Sequence, residues 1–134
     1  MPIPREQCPS GQTQRAVCIV DDDEWVADSL KILLEAFGFA VQSYNSGNGF
    51  LADERRCTAG CLVIDQHMPG MSGLDVVEHL QKEGNQVTTI LISGRLDAKT
   101  RERATRLGVR QLLDKPFAAD RLIELVRGIL LETD

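Results

Sequence analysis

The stretch Cys61-Leu62-Val63-Ile64-Asp65-Gln66-His67-Met68-Pro69-Gly70 decides the fold. Four small or apolar residues lead into one acid, and a Pro-Gly turn follows. A short continuous apolar run bounded by turn signals predicts a strand buried on both faces. Strands of that kind belong to open parallel α/β sheets, where chemistry is done in the crevice outside the carboxyl ends of the strands. Asp65 stands at such an end and is the first candidate for a working residue.

Upstream, Ala16 to Val20 is a second apolar run, and it ends in Asp21-Asp22-Asp23-Glu24. Helical spacing starts at once, with Val26, Leu30, Leu33 and Phe37 on one face and Gly38 as the stop. Phe39 to Tyr44 reads as a short strand. Ser46 to about Asp53 reads as a short helix that turns Phe50 and Leu51 inward. Asp53-Glu54-Arg55-Arg56 is a solvated connection back to the opening strand. Downstream, Ser72 and Asp75 have the spacing of a capping box. Leu74, Val77 and Leu80 or Gln81 then form a helical face that ends near Gly84. Val87 to Ser93 is β-branched and apolar, hence a strand. Asp97 to Leu107 is helical by propensity but poor in apolar residues, with Ala104 and Leu107 as its inner face. Val109 to Leu113 is a fifth strand, followed by Asp114-Lys115-Pro116. Ala119 to Leu131 is a closing helix with Leu122, Leu125, Val126 and Ile129 on one stripe.

Strands and helices therefore alternate, which implies right-handed crossovers and a parallel sheet covered on both faces. The expected fold is α/β, a flavodoxin-like (βα)5 doubly wound sheet of strand order 2-1-3-4-5. That order sets the ends of the first and third strands side by side. Asp21, Asp22 and Asp65 should converge there, with Ser93 and Lys115 ending the next strands along the same rim.

The 134 residues suit one domain, and 43% hydrophobic content supports a real core. Residues 1–14 read as a flexible lead-in and 15–134 as the domain. A net charge of −5 argues against direct nucleic-acid binding by this segment. No apolar stretch reaches bilayer-spanning length, and the N-terminus has no signal-peptide pattern. Cys8, Cys18, Cys57 and Cys61 lack the paired spacing of a zinc site, and a reduced, cytoplasmic setting suits them.

Three carboxylates in one crevice repel, so they must take up protons or hold a cation. All-oxygen ligands favour a hard ion, Mg²⁺ first and Mn²⁺ as its substitute. Mg²⁺ commonly bridges carboxylates to a phosphate, so the site is a half-built phosphoryl binder. Asp65 has the chemistry of a nucleophile that forms an aspartyl phosphate. Lys115 would neutralise one phosphoryl oxygen, and the Ser93 hydroxyl would donate a hydrogen bond to another.

Val20-Asp21-Asp22, Asp65 with Met68-Pro69-Gly70-Met71-Ser72-Gly73, Ile92-Ser93-Gly94 and Lys115-Pro116-Phe117 together resemble the receiver domain of a two-component response regulator. The resemblance runs from about Ala16 to Leu131. It is nearest to receivers that precede LuxR-type helix-turn-helix domains. It implies that Asp65 is phosphorylated by a sensor histidine kinase. It implies a metal set of Asp22, Asp65 and the backbone carbonyl of His67, with Asp21 acting through water. Ser93 takes the place of the hydroxyl that moves toward the phosphoryl group. Lys115 takes the place of the family's lysine, with a cis bond to Pro116. The receiver itself is a phosphoacceptor that assists its own phosphorylation and dephosphorylation, not an enzyme. Homodimerisation on phosphorylation, and an output domain or partner reached through the region from the fourth helix to the fifth, are further implications.

One position departs from the family. Leu112 stands three residues before the lysine, where receivers usually carry Tyr or Phe as the second half of the switch. An aromatic rotamer change cannot occur there, so any switching is expected to run through Ser93 and the loop after it. His67 and Arg95, two residues after Asp65 and Ser93, occupy places that tune hydrolysis of the aspartyl phosphate. His67 either hydrogen-bonds an attacking water or faces solvent. His79 is expected on a helix surface, and Trp25 is expected to pack partly on the surface beside the acids. Arg101, Arg103 and Arg106 either form a solvated face or contribute to an activation-dependent partner contact. Among alternatives, a haloacid dehalogenase-type hydrolase needs a second acid where His67 stands. A flavodoxin needs a phosphate loop where the acids stand. A non-phosphorylated interaction module would not require the intact residue set.

Overall fold

A computed structural model describes residues 16–53 and 59–132. The lead-in 1–14, the charged residues Glu54-Arg55-Arg56, and Cys8 and Cys57 lie outside them. The element order is β1 (Ala16–Val20), α1 (Glu24–Ala36), β2 (Ala40–Tyr44), α2 (Gly47–Ala52), β3 (Ala59–Asp65), α3 (Gly73–Lys82), β4 (Thr88–Ser93), α4 (Ala98–Arg106), β5 (Gln111–Asp114) and α5 (Ala119–Glu132). All strand pairs are parallel, and the sheet order is β2-β1-β3-β4-β5. The expected flavodoxin-like topology is thus the observed one.

The inner strands β1 and β3 read as continuous apolar runs because both of their faces are covered. Side chains alternate along a strand, so neighbours in sequence enter opposite cores. Cys61 and Val63 of β3 join Val17, Ile19, Leu34, Leu122 and Val126 on the face covered by α1 and α5. Leu62 and Ile64 join Val20, Phe50, Leu74 and Leu80 on the face covered by α2, α3 and α4. Cys18 and Cys61 are buried thiols on opposite faces, and burial pushes the Cys61 thiol up to about 12.

Helix ends explain where the sequence reading placed strands too early. Gly38 (φ 92°) and Gly108 (φ 79°) adopt the left-handed conformation that closes a helix at low steric cost. Phe39 then donates its N–H back to Leu34, and Val109 donates to Ala104, at 3.2 and 2.8 Å. Both residues finish the preceding helix, so β2 starts at Ala40 and β5 at Gln111. Phe37 is a correction of a different kind. It is the C-cap of α1 (φ −95°, ψ 10°) and 49% exposed, because the helical phase that would have carried it inward ends one residue earlier. Ala27, Leu30 and Leu34 form the buried stripe instead. Trp25, expected to pack partly, is 85% exposed.

The thinnest anchoring belongs to α4, where Ala104 is the buried residue and Leu107, its C-cap, packs partly. Polar contacts hold the rest of this helix. Arg103 Nη2 lies 2.8 Å from Asp75 Oδ1 and 3.7 Å from Glu78 Oε1, both on α3. Arg101 donates from Nε to the Leu96 carbonyl at 3.1 Å and lies 3.8 Å from Asp114. Of the three arginines considered for a partner surface, Arg103 is therefore committed within the fold, while Arg106 is exposed.

Candidate functional site

Strand ends bring the expected residues together. Asp21 follows β1, Asp65 closes β3, Ser93 closes β4, and Lys115 follows β5. The backbone continues the sheet's pairing into these positions. Asp21 N–H donates to Tyr44 C=O (3.1 Å), Gln66 N–H to Ile92 C=O (2.8 Å) and Lys115 N–H to Ser93 C=O (2.9 Å).

Asp21 and Asp65 are 2% and 5% exposed, whereas Asp22 is exposed. One carboxylate oxygen from each of the three lies within 4.8 Å of the others. The third acid of the run has another task. Asp23 caps α1, its Oδ1 accepting the N–H groups of Trp25 and Val26 at 3.0 and 3.3 Å. Asp21 Oδ1 accepts the Asp23 N–H at 2.9 Å. Burial nevertheless raises the Asp21 pKa above the ordinary carboxylate value, and the Asp65 and Asp22 charges add to the rise. Lys115 Nζ lies 3.1 Å from Asp65 Oδ1. Among the described residues, none donates a hydrogen bond to this buried Oδ1.

A buried, unsatisfied carboxylate oxygen beside two further acids is what a divalent cation would complete. The residues present fit that role: three oxygens converge, and no Cys or His side chain is among them. The cluster can coordinate a divalent metal.

The loop after β3 is fastened at both ends. Gln66 Oε1 accepts the Leu74 N–H at 2.9 Å, and its backbone carbonyl accepts the Gly73 N–H at 3.2 Å. Ser72 and Asp75 form the expected capping box on α3. Asp75 therefore serves twice, Oδ2 toward the Ser72 N–H and Oδ1 toward Arg103. The Arg103 hydrogen bond, then the Ser72 N–H, hold its carboxyl below the usual range. Gly73 is needed by space: a Cβ there would sit 2.7 Å from the Asp65 carbonyl oxygen and 3.0 Å from Leu91 Cδ1.

His67 does not simply face solvent. Its Nε2 lies 2.9 Å from Ser93 Oγ, and that oxygen also accepts the Arg95 N–H at 2.9 Å. Leu112 is half-buried against the α3–α4 core, and the Lys115–Pro116 bond is cis. His79 is on the surface of α3, 3.7 Å from Glu83. Sequence reasoning missed Gln66 and the Asp75–Arg103 pair. A loop Gln carries no motif, and the pair joins residues 28 apart in sequence.

A parallel sheet of order 2-1-3-4-5 with an acid triad and a lysine at its carboxyl edge defines a receiver fold with a cluster typical of phosphoacceptor sites. The family described as "Response regulator receiver domain" matches residues 17–127, and the chain belongs to it. It is related to LuxR-type response regulators such as FixJ and TodT. The response regulator protein TodT of Pseudomonas putida (strain F1) is 37% identical over 114 residues, 85% of this chain and 50% of that protein. The transcriptional regulatory protein FixJ of Azorhizobium caulinodans is 37% identical over 114 residues, 85% of this chain and 54% of that protein. The chain thus spans about half the length of these relatives. The crystal structure of FixJ-N superposes with a TM-score of 0.80 at 33% identity, covering 88% of this chain and 94% of that one. The family is one of signalling receivers rather than enzymes. No helix among the described residues is long and apolar enough to cross a membrane.

Proposed function

We propose that Asp65 is the phosphoacceptor, that Mg²⁺ is the ion its site takes, and that a sensor histidine kinase is the donor. The observation that carries this reading is the state of Asp65 Oδ1: buried, accepting no hydrogen bond, 3.1 Å from Lys115 Nζ, and beside Asp21 and Asp22. A carboxylate oxygen so placed accepts no hydrogen bond from the described residues and is open to a new bond.

In the transfer, an Asp65 carboxylate oxygen forms a bond to phosphorus as the phosphorus–nitrogen bond of a phosphohistidine breaks. The donor imidazole leaves with the electron pair of that bond and takes a proton from solvent. Asp22, Asp65 and the His67 carbonyl would hold Mg²⁺, with Asp21 acting through water, and the ion would supply charge neutralisation for phosphoryl oxygens. Lys115 neutralises a further oxygen as a point charge. Ser93 donates its hydroxyl to another and so carries the phosphorylated state into the loop that follows. His67 and Arg95 border the path of the hydrolytic water and set the lifetime of the product. The exchange belongs in the cytoplasm, in keeping with buried thiols on opposite faces of the sheet. The output surface is the region from α4 to α5, used by a second copy or by an output domain. The name of FixJ, a transcriptional regulatory protein, supports transcription as the controlled process.

The test is intact mass after incubation with acetyl phosphate and Mg²⁺. One phosphoryl adduct in the wild type, absent in Asp65→Asn, supports the reading. No adduct together with no beryllofluoride binding overturns it.

A further inference from the structure

Ser93 is fully buried, yet the ring that meets its hydroxyl belongs to an exposed residue, His67. A serine hydroxyl has one proton to give and two lone pairs to offer. One lone pair of Oγ is taken by the Arg95 N–H at 2.9 Å. The second contact, at 2.9 Å to His67 Nε2, takes either the proton or the remaining lone pair, according to the tautomer. In either case the hydroxyl is held by the loop after β3 and by its own loop, while Lys115 Nζ stands 3.1 Å from Asp65 Oδ1. The loop that carries Arg95 leads into α4, whose N-cap Asp97 accepts the Thr100 N–H at 2.9 Å.

We propose that His67 is a positioning residue that latches the Ser93 hydroxyl in the resting state, so that phosphorylation must draw Ser93 off the His67 ring. This rests on the reading of Asp65 as phosphoacceptor and deepens it. The latch joins the loops that follow β3 and β4, so its release frees the segment leading into α4. It gives this chain a two-part switch without an aromatic side chain at Leu112. The part usually played by a ring on β5 is played by an imidazole beside the acceptor.

The latch stabilises the resting state only, so removing it favours the phosphorylated-like state. Losing one neutral hydrogen bond corresponds to a change of about two- to ten-fold in that equilibrium. The full chain would be compared as wild type, His67→Ala, His67→Gln and His67→Asn. The Gln amide reaches the position of Nε2, whereas the Asn amide stops at that of Nδ1. Calorimetric titration with beryllofluoride and Mg²⁺ should give about two- to ten-fold tighter binding for His67→Ala and His67→Asn, and near wild-type binding for His67→Gln. In the metal-free protein, His67→Ala should also shift the backbone amide resonance of Arg95, which donates to the same oxygen. Unchanged or weaker beryllofluoride binding in His67→Ala overturns the latch alone, and so does an unmoved Arg95 resonance or a Gln variant that behaves as Ala. Failure of the wild type to bind beryllofluoride overturns the phosphoacceptor reading and the latch with it.

Discussion

Two helical glycines in this chain separate backbone propensity from steric need. Gly73 opens α3 and Gly128 lies inside α5. Neither has a positive φ. A Cβ at Gly128 meets nothing within 4 Å, so Gly128→Ala should stabilise the protein by about 0.5–1 kcal/mol through the unfolded chain. A Cβ at Gly73 would stand 2.7 Å from the Asp65 carbonyl oxygen, which is backbone and cannot rotate away. Overpacking of this kind costs about 1–3 kcal/mol, and the small helix-propensity gain at a first-turn position offsets only part of it. The net expectation for Gly73→Ala is a loss of about 1–2 kcal/mol, or a fall in Tm of about 3–8 °C for a domain of this size. Because the clash falls on the peptide of Asp65 itself, phosphorylation by acetyl phosphate should also slow. Urea titration gives the stabilities and intact mass gives the adduct rate. If Gly73→Ala proves as stable as wild type and takes up phosphate at the wild-type rate, α3 does not approach the acceptor strand as closely as described.

The Asp21 pKa is raised, chiefly by burial, so its ionised form destabilises the metal-free fold above that raised value and the penalty shrinks as pH falls through it. Asp21→Asn should therefore raise Tm at pH 7 without metal, gain progressively less toward acid pH, and lose most of the Tm increase that Mg²⁺ gives the wild type. Asp75 has the opposite sign: its lowered pKa means stabilisation that is full above the ordinary value of 3.8 and lost as pH falls through the depressed one. The pair is partly exposed, so Arg103→Ala should cost only about 0.5 kcal/mol at pH 7. That difference should shrink in urea titrations as pH falls through the depressed Asp75 value. Leu112 should keep one rotamer in crystals with and without beryllofluoride, and a rotamer change coupled to Ser93 would refute the absence of a β5 switch.

The strand cores and the acid positions were legible because they depend on local rules. A sheet covered on both faces demands continuous apolar runs, and those runs place Asp21, Asp65 and Ser93 at one edge. The capping box at Ser72 and Asp75 was legible for the same reason. Phe37, Phe39 and Val109 were misplaced because hydrophobicity says nothing about where helical phase ends; the closing hydrogen bonds at Gly38 and Gly108 decide that. The exposure of Trp25 was not readable either, since a first-turn residue sits on whichever side the cap at Asp23 directs. The role of Arg103 could not be read from α4, whose arginines look equivalent along the chain. Only the docking of α4 beside α3 selects the one that reaches Asp75.

The hydrogen bonds that carry sheet pairing past the strand ends have one more consequence. Gln66, Asp21 and Lys115 are tied by their own peptides to neighbouring strands, so the spacing of the chemical groups is the spacing of the sheet. The site is ruled off on the hydrogen-bonded sheet, while α4 is held beside it largely by side-chain contacts. Amino-acid change on α4 and the loops can then alter the surface without moving the acids and the lysine at the sheet edge. A single scaffold can serve many circuits because its chemistry and its address are written on different layers.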